Sequence, residues 1–281
     1  MTRSVLVPSS LVREAEDKRE ATRKLGYVAR AATIFRVDRL TVFPDPAGEG
    51  KWEAGFVETV LRYAATPPDV RKEVWGMRDE LEYAGVLPPL RVRSRTGSGS
   101  EGSGSLRQGI VTEVGTDGRV RVNCGLQHPI SLPVPDGWEL SEGERVSVRV
   151  SSRRPVRAKL VDEPVPGFAV DASNLQTALA RDDVGLAIAA SRLGETLTVT
   201  TLDTLVERRE ADGGCTVAFG SPQRGLPEIL DLDSDAVARG DFADEDPGFD
   251  LWLNTVPNQG SEVIRTEEAV FATLASLNLK R

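Results

Sequence analysis

The chain is poor in the residues that usually carry metal and thiol chemistry. Its 281 residues hold two cysteines, Cys124 and Cys215, and one histidine, His128. No third ligand accompanies the Cys124–His128 pair, so a structural zinc site lacks its ligand set. No apolar run approaches the roughly 20 residues that a membrane helix needs. The start, Met1 to Pro8, is too short for a secretory signal and flows into a charged segment, which makes the cytoplasm the expected location. Two nucleotide-binding signatures are missing as well. No Gly-x-Gly-x-x-Gly follows the first strand, and no loop ends in Gly-Lys-Ser/Thr. Dinucleotide and P-loop folds are therefore disfavoured.

Charge is abundant but leans one way. Forty-three acids face 35 bases, for a formal net charge of −8, which argues against indiscriminate binding of polyanions. The acidity is uneven. Residues 211–250 carry ten acids and two arginines, whereas residues 1–40 carry nine bases against five acids. Residues 91–160 carry twelve bases against seven acids, so basic sectors remain for nucleic acid. Lysine is scarce beside arginine, a mix that looks like a protein of a salt-rich cytoplasm, as in a halophilic archaeon. High salt screens phosphate contacts, so shape and hydrogen bonding would carry more of any RNA affinity.

The apolar pattern alternates between two grammars. Ser4–Pro8 reads as a strand, Leu11–Ala32 as a helix capped by Ser9 or Ser10, and Arg39–Phe43 as a second strand. Trp52–Ala65 shows helical spacing, and a shorter helix follows over 69–80. Strand–helix alternation predicts an α/β layer with a mostly parallel sheet. Near Leu90 the pattern changes. Arg91–Arg93 alternates like a strand, Gly97–Ser105 is a glycine–serine loop, and 109–114, 119–122 and 145–150 alternate with period two between glycine turns. These predict a small OB-like β-barrel over 91–164, a fold that often binds oligonucleotides. Its arginines, among them Arg149, Arg153, Arg154 and Arg157, suit a phosphate track or ordinary solubility. After residue 165 the α/β pattern returns. Strands are expected at 168–170, 184–189, 196–200, 215–219 and 250–253, with short helices near 174–181 and from Leu226, and a closing helix to Leu277. The barrel thus interrupts one α/β domain made of residues 1–90 and 165–281.

Two loops stand out. Phe219-Gly220-Ser221-Pro222-Gln223-Arg224-Gly225 follows a strand, with a glycine at each end and a rigid proline between. Leu253-Asn254-Thr255-Val256-Pro257-Asn258-Gln259-Gly260-Ser261 joins another strand to the helix start Arg265-Thr266-Glu267-Glu268. Two such loops at neighbouring strand ends form a ligand crevice. Thr255 offers a hydroxyl, while Asn254 and Asn258 serve equally well as turn formers.

With these segments, Ala29–Asp38 and Tyr83–Leu90, the chain resembles the SPOUT class of RNA methyltransferases, whose carboxyl-terminal half forms a trefoil knot. More narrowly it is similar to the archaeal and eukaryotic family described as putative RNA methyltransferases, some assigned to uridine N3, with a small β-barrel inserted in the knotted domain. The resemblance implies an enzyme that binds S-adenosylmethionine and methylates ribosomal or transfer RNA, working as a homodimer through the knot region. A non-catalytic RNA-binding or ribosome-assembly factor is the alternative.

The same resemblance implies a cofactor pocket of three loops. The first, near Ala190–Gly194, contributes Ser191 and Gly194, although the family pattern has threonine where Ala190 stands. The second contributes Phe219, Gly220, Ser221, Pro222 and Gly225. The third contributes Leu253, Asn254, Thr255, Val256, Pro257 and Gly260, and Ile264, Thr266 and Ala269 complete the set. Arg265 would stabilise charge on the acceptor, Glu267 or Glu268 would take its proton, and Arg30 would assist. Arg30 and Arg36 would also meet RNA, with ion pairing to Asp38 or Glu58 as the other reading of Arg30.

Overall fold

The computed structural model describes residues 1–48, 51–52, 55–92, 104–163, 167–240 and 246–279. In chain order the first elements are β1 (Thr2–Pro8), α1 (Lys18–Ile34), β2 (Arg39–Phe43), α2 (Phe56–Ala65) and α3 (Arg71–Trp75). Five strands follow: β3 (Ser105–Val114), β4 (Arg119–Asn123), β5 (Ile130–Pro133), β6 (Arg145–Arg153) and β7 (Val156–Leu160). The remainder comprises β8 (Ala169–Ala172), α4 (Leu175–Leu179), β9 (Leu186–Thr196), α5 (Val199–Ala211) and β10 (Gly214–Phe219). Last come α6 (Leu226–Ile229), α7 (Ser234–Arg239), β11 (Leu251–Asn254) and α8 (Thr266–Leu277).

Contacts divide the chain into two compact units. One comprises Met1–Ala65, Asp79–Leu90 and Phe168–Arg281; the other comprises Thr66–Arg78 and Arg91–Gly167. The second unit therefore takes in the turn after α2 as well as the stretch that the sequence marks off.

In the first unit six strands form a wholly parallel sheet in the order β11-β9-β10-β1-β2-β8. Parallel strands covered on both faces read as near-continuous apolar runs, and every residue of β10 is buried. Side chains alternate between two cores. Val5, Val7, Ile188, Val217 and Phe219 pack with α1, α2 and α8. Leu6, Ala187, Ala189 and Ala218 face α4, α6 and α7. Each buried valine or leucine contributes on the order of 1.5–3 kcal/mol.

The second unit is an antiparallel sheet, β5-β4-β3-β6-β7, whose outer strands approach each other to form a nearly closed barrel. Its interior is aliphatic, with Val111, Val120, Val122, Val146, Val148 and Val150 at the centre. One expectation fails here. Arg149 is not on a solvated face: β6 is buried from Val146 to Val150, and Arg149, 8% exposed, is paired with Glu163. Arg153, Arg154 and Arg157 are exposed at the β6–β7 hairpin.

Several elements differ from the sequence expectation. The helix expected from Leu11 begins at Lys18, because Asp17, not Ser9 or Ser10, caps it by accepting from the Glu20 amide. The serines are engaged elsewhere. The second helix starts at Phe56 rather than Trp52. The threonine run at 196–200 is not a strand of its own: it spans the end of β9 and the start of α5, a helix the pattern did not disclose. Thr198 and Thr201 cap it reciprocally, each side chain bonding the other's backbone amide. Strands β5 and β7 were also missed. Arg93 and most of the Gly97–Ser105 loop lie outside the described residues; Ser105 opens β3.

Candidate functional site

A cavity of about 260 Å³ opens at the carboxyl ends of β9, β10 and β11. The chain leaves β9 for β10 on one side and later returns to β11 on the other. β9 is thus a point where the strand order reverses, the place where parallel sheets form ligand crevices.

The first wall arises from an irregularity in β9. Trp252 of β11 pairs with Ala189, but the next residue, Leu253, pairs with Glu195. Residues 190–194 are looped out of the β11 ladder, and Ala190, Ser191, Arg192 and Leu193 line the cavity. Gly194 closes the excursion. A Cβ there would collide with the backbone of Trp252 and Leu253, so glycine is required by the strand contact and does not line the cavity.

The second wall is the loop after β10. Ser221 and Arg224 exchange backbone hydrogen bonds of 2.9 and 3.1 Å across Pro222 and Gln223. Gln223 accordingly sits at φ 60°, the left-handed region that such a turn demands at its third position. At Gly220 a Cβ would come within 2.8 Å of Gly225 Cα, so the two ends of the loop touch. Phe219, Gly220, Ser221 and Gly225 line the cavity, as do Gln223 and Arg224, which the sequence did not single out. Pro222 stiffens the turn from outside the wall.

The third wall is the segment between β11 and α8. Asn254, Thr255, Val256, Ile264, Thr266 and Ala269 line it. Asn254 is a turn former: its side-chain oxygen accepts from the Val256 amide at 3.1 Å, and its amide donates to the Arg192 carbonyl at 3.2 Å. The Thr255 hydroxyl is bonded to buried Thr273 at 2.7 Å, which ties the loop to α8. Thr266 donates to the Gly220 carbonyl at 2.9 Å and joins the second wall to the third. Leu253, Pro257 and Gly260 are not on the wall.

Beneath the second loop lies a buried carboxylate. Asp45, 2% exposed, accepts from Ser10 Oγ at 2.5 Å and from Arg224 Nε at 3.1–3.2 Å, while its amide donates to Ser9 Oγ. Arg224 also donates to Glu228 at 2.8 Å. The bond to Asp45 is the main reason the guanidinium pKa is raised, so the Arg224 charge on the wall is permanent.

The residues expected to do chemistry are not gathered here. Arg265 is exposed at the start of α8, where Glu268 accepts from its backbone amide at 2.9 Å. Glu267 is buried away from the wall, where burial pushes its pKa up despite the nearby Lys24 charge. Arg30 donates to the carbonyls of Pro89 and Leu90, so its role is to hold the chain before residue 91, not an ion pair with Asp38 or Glu58. Arg36 is exposed at φ 54° after α1. Glu228 and Glu262 are the carboxylates on the cavity wall among the described residues. No group of three His, Cys, Asp or Glu side chains among the described residues is placed to hold a metal ion, and none of their helices is long and apolar enough to cross a membrane.

The family model described as "Putative RNA methyltransferase" matches residues 2–277. An uncharacterized protein of Haloarcula marismortui is 75% identical over 99% of both chains. The 28S rRNA (uridine-N(3))-methyltransferases of Homo sapiens and Mus musculus are each 29% identical over 98% of this chain, covering 77% and 76% of their own lengths.

Proposed function

The chain belongs to that RNA methyltransferase family, and from this premise we propose that it transfers a methyl group from S-adenosylmethionine to ribosomal RNA, with uridine N3 as the acceptor atom. The observation that carries the reading is the three-walled crevice at the carboxyl ends of β9, β10 and β11. The choice of acceptor is supported by the mouse and human relatives, which are named 28S rRNA (uridine-N(3))-methyltransferases.

The residues present fit the donor. Val256, Ile264 and Ala269 offer an apolar wall for an adenine ring, while loop carbonyls and amides surround it with polar partners. Gly225, at φ −69°, would admit a side chain with only Pro227 Cδ nearby, at 3.4 Å. Its bare α-carbon therefore leaves room on the cavity side and is not forced by the backbone. The bound donor supplies a methyl group already activated by positively charged sulfur. The protein's task is then alignment and exclusion of water. Arg224, fixed by Asp45, holds a positive charge on the wall where negative charge develops on an acceptor base losing its N3 proton. Glu262 and Glu228 are the wall carboxylates that can take this proton, and Glu228 is already paired with Arg224.

We read the segment from β9 to α8 as a trefoil knot. In support, β11 crosses to the far side of β9, and α8 then returns to bond Gly220 and pack with α1. A homodimer through this region and a cytoplasmic location complete the reading. Exposed Arg153, Arg154 and Arg157 are the proposed RNA contacts of the second unit. The test is incubation of the purified protein with S-adenosylmethionine and large-subunit ribosomal RNA, followed by nucleoside mass spectrometry. The reading predicts N3-methyluridine at one site. Methylation at another atom would correct the acceptor, and no methylated nucleoside on any RNA would refute the activity.

A further inference from the structure

A second cavity, of about 350 Å³, opens at the carboxyl ends of β1, β2 and β8, on the same edge of the parallel sheet as the first. Its wall is aromatic and carries one arginine, Arg13, and one glutamate, Glu58, whose carboxylate is taken up by Arg62 at 2.7 Å. Trp52 and Phe56 lie with ring centroids 5.5 Å apart and planes at 30°, and the Trp52 indole N–H donates to the Val12 carbonyl at 3.3 Å. That bond fixes the plane of the larger ring. Arg13 is half-buried on the same wall, and its guanidinium has no partner among the described residues. A partly desolvated arginine with no carboxylate bonded to it, beside a flat aromatic surface, matches a nucleotide: phosphate on the cation, base on the ring.

The two cavities share a wall. Ser10 lines the second, and its hydroxyl reaches both Asp45 at 2.5 Å and Ser221 Oγ at 3.1 Å. Ser221 and Arg224, the latter bound to the same Asp45, line the first. Gly48 completes the partition, since a Cβ there would overlap the Asp45 carboxylate. A methyl group cannot cross a layer of hydrogen-bonded side chains. The occupant of the second cavity is therefore not the base that is methylated.

We propose that the second cavity holds the nucleotide next to the acceptor in the RNA strand, its base against Trp52 and its phosphate on Arg13. The proposal rests on the RNA methyltransferase reading given above. It gives the enzyme a means of selecting an unpaired strand, because only a splayed base can lie against the ring.

The test measures binding of a fluorescein-labelled, single-stranded fragment of the cell's own large-subunit ribosomal RNA by anisotropy, with demethylated donor present. Trp52→Ala and Arg13→Gln should each weaken binding by roughly ten-fold or more, while Trp52→Phe and Arg13→Lys recover most of the affinity. Calorimetric affinity for the demethylated donor should stay unchanged in all four, which certifies the fold. Wild-type RNA affinity in both Trp52→Ala and Arg13→Gln, or losses that the conservative variants do not restore, would overturn the proposal. Because binding is read without turnover, failure of methyl transfer in the wild-type protein would count against the catalytic reading alone.

Discussion

Gly194 lies against Trp252: a Cβ on the first would stand 2.6 Å from the carbonyl oxygen of the second. The contact closes the five-residue excursion of β9 that forms one wall of the cavity. Gly194→Ala must push β11 away or flatten the excursion. It should destabilise the protein by about 1–3 kcal/mol, measured by urea unfolding. Donor affinity should fall as well, although residue 194 is not on the wall. A stable variant with unchanged affinity would show that the excursion does not depend on this contact.

Arg209 anchors the last helix from below. It is 2% exposed on α5 and donates to the carbonyl oxygen of Leu277, which the end of α8 leaves without a helical partner, and to that of Leu279 just beyond the helix. Arg209→Met keeps the bulk and strands those oxygens. A loss of about 2–3 kcal/mol is expected, with hydrogen exchange rising first along α8. Uniform exchange across the first unit would argue that Arg209 only fills space.

Glu267 ties stability to pH. Burial is the leading cause of its raised pKa, so the folded state holds the proton more tightly than the unfolded chain does. Its contribution is present below the ordinary glutamate value of 4.5 and is lost as pH rises through the folded value. Glu267→Gln should therefore stabilise the protein at pH 7.5 and change little near pH 4. Denaturant unfolding at the two values checks the sign, and destabilisation at pH 7.5 would mean that the carboxylate is held by compensating bonds.

Replacing Arg153, Arg154 and Arg157 together with glutamine should weaken RNA binding and leave donor affinity intact. If all three meet phosphates, the slope of log affinity against log salt should become shallower by about 2. Arg149 is excluded from this set because its loss would leave Glu163 without its cation in the barrel. An unchanged slope would remove the hairpin from the RNA surface.

How much of this was legible in the sequence depends on range. Buried parallel strands announce themselves as apolar runs, and β10 and the loops after β10 and β11 were readable for that reason. Capping by threonine was not. A threonine-rich run has the composition of a strand, and only the reciprocal bonds of Thr198 and Thr201 turn it into the start of α5. Long-range partners were equally hidden. Nothing near Arg224 in sequence points to Asp45, 179 residues away, yet that bond places a fixed charge on the wall. Alternation misled at Arg149, because β6 is covered on both faces and the period-two rule assumes that one face is wet. Glu267 was expected, with Glu268 as the other choice, to accept the acceptor's proton. Direction around the helix, which spacing does not give, turned it inward.

The most direct test of the account is calorimetric titration of S-adenosylmethionine and its demethylated product into wild-type protein and into Gly225→Val. The account predicts saturable binding to the wild type, and a loss of roughly ten-fold or more, worth about 1.4 kcal/mol, in a variant whose thermal unfolding is unchanged. No binding of either compound to folded wild-type protein, or full affinity in the valine variant, would contradict it.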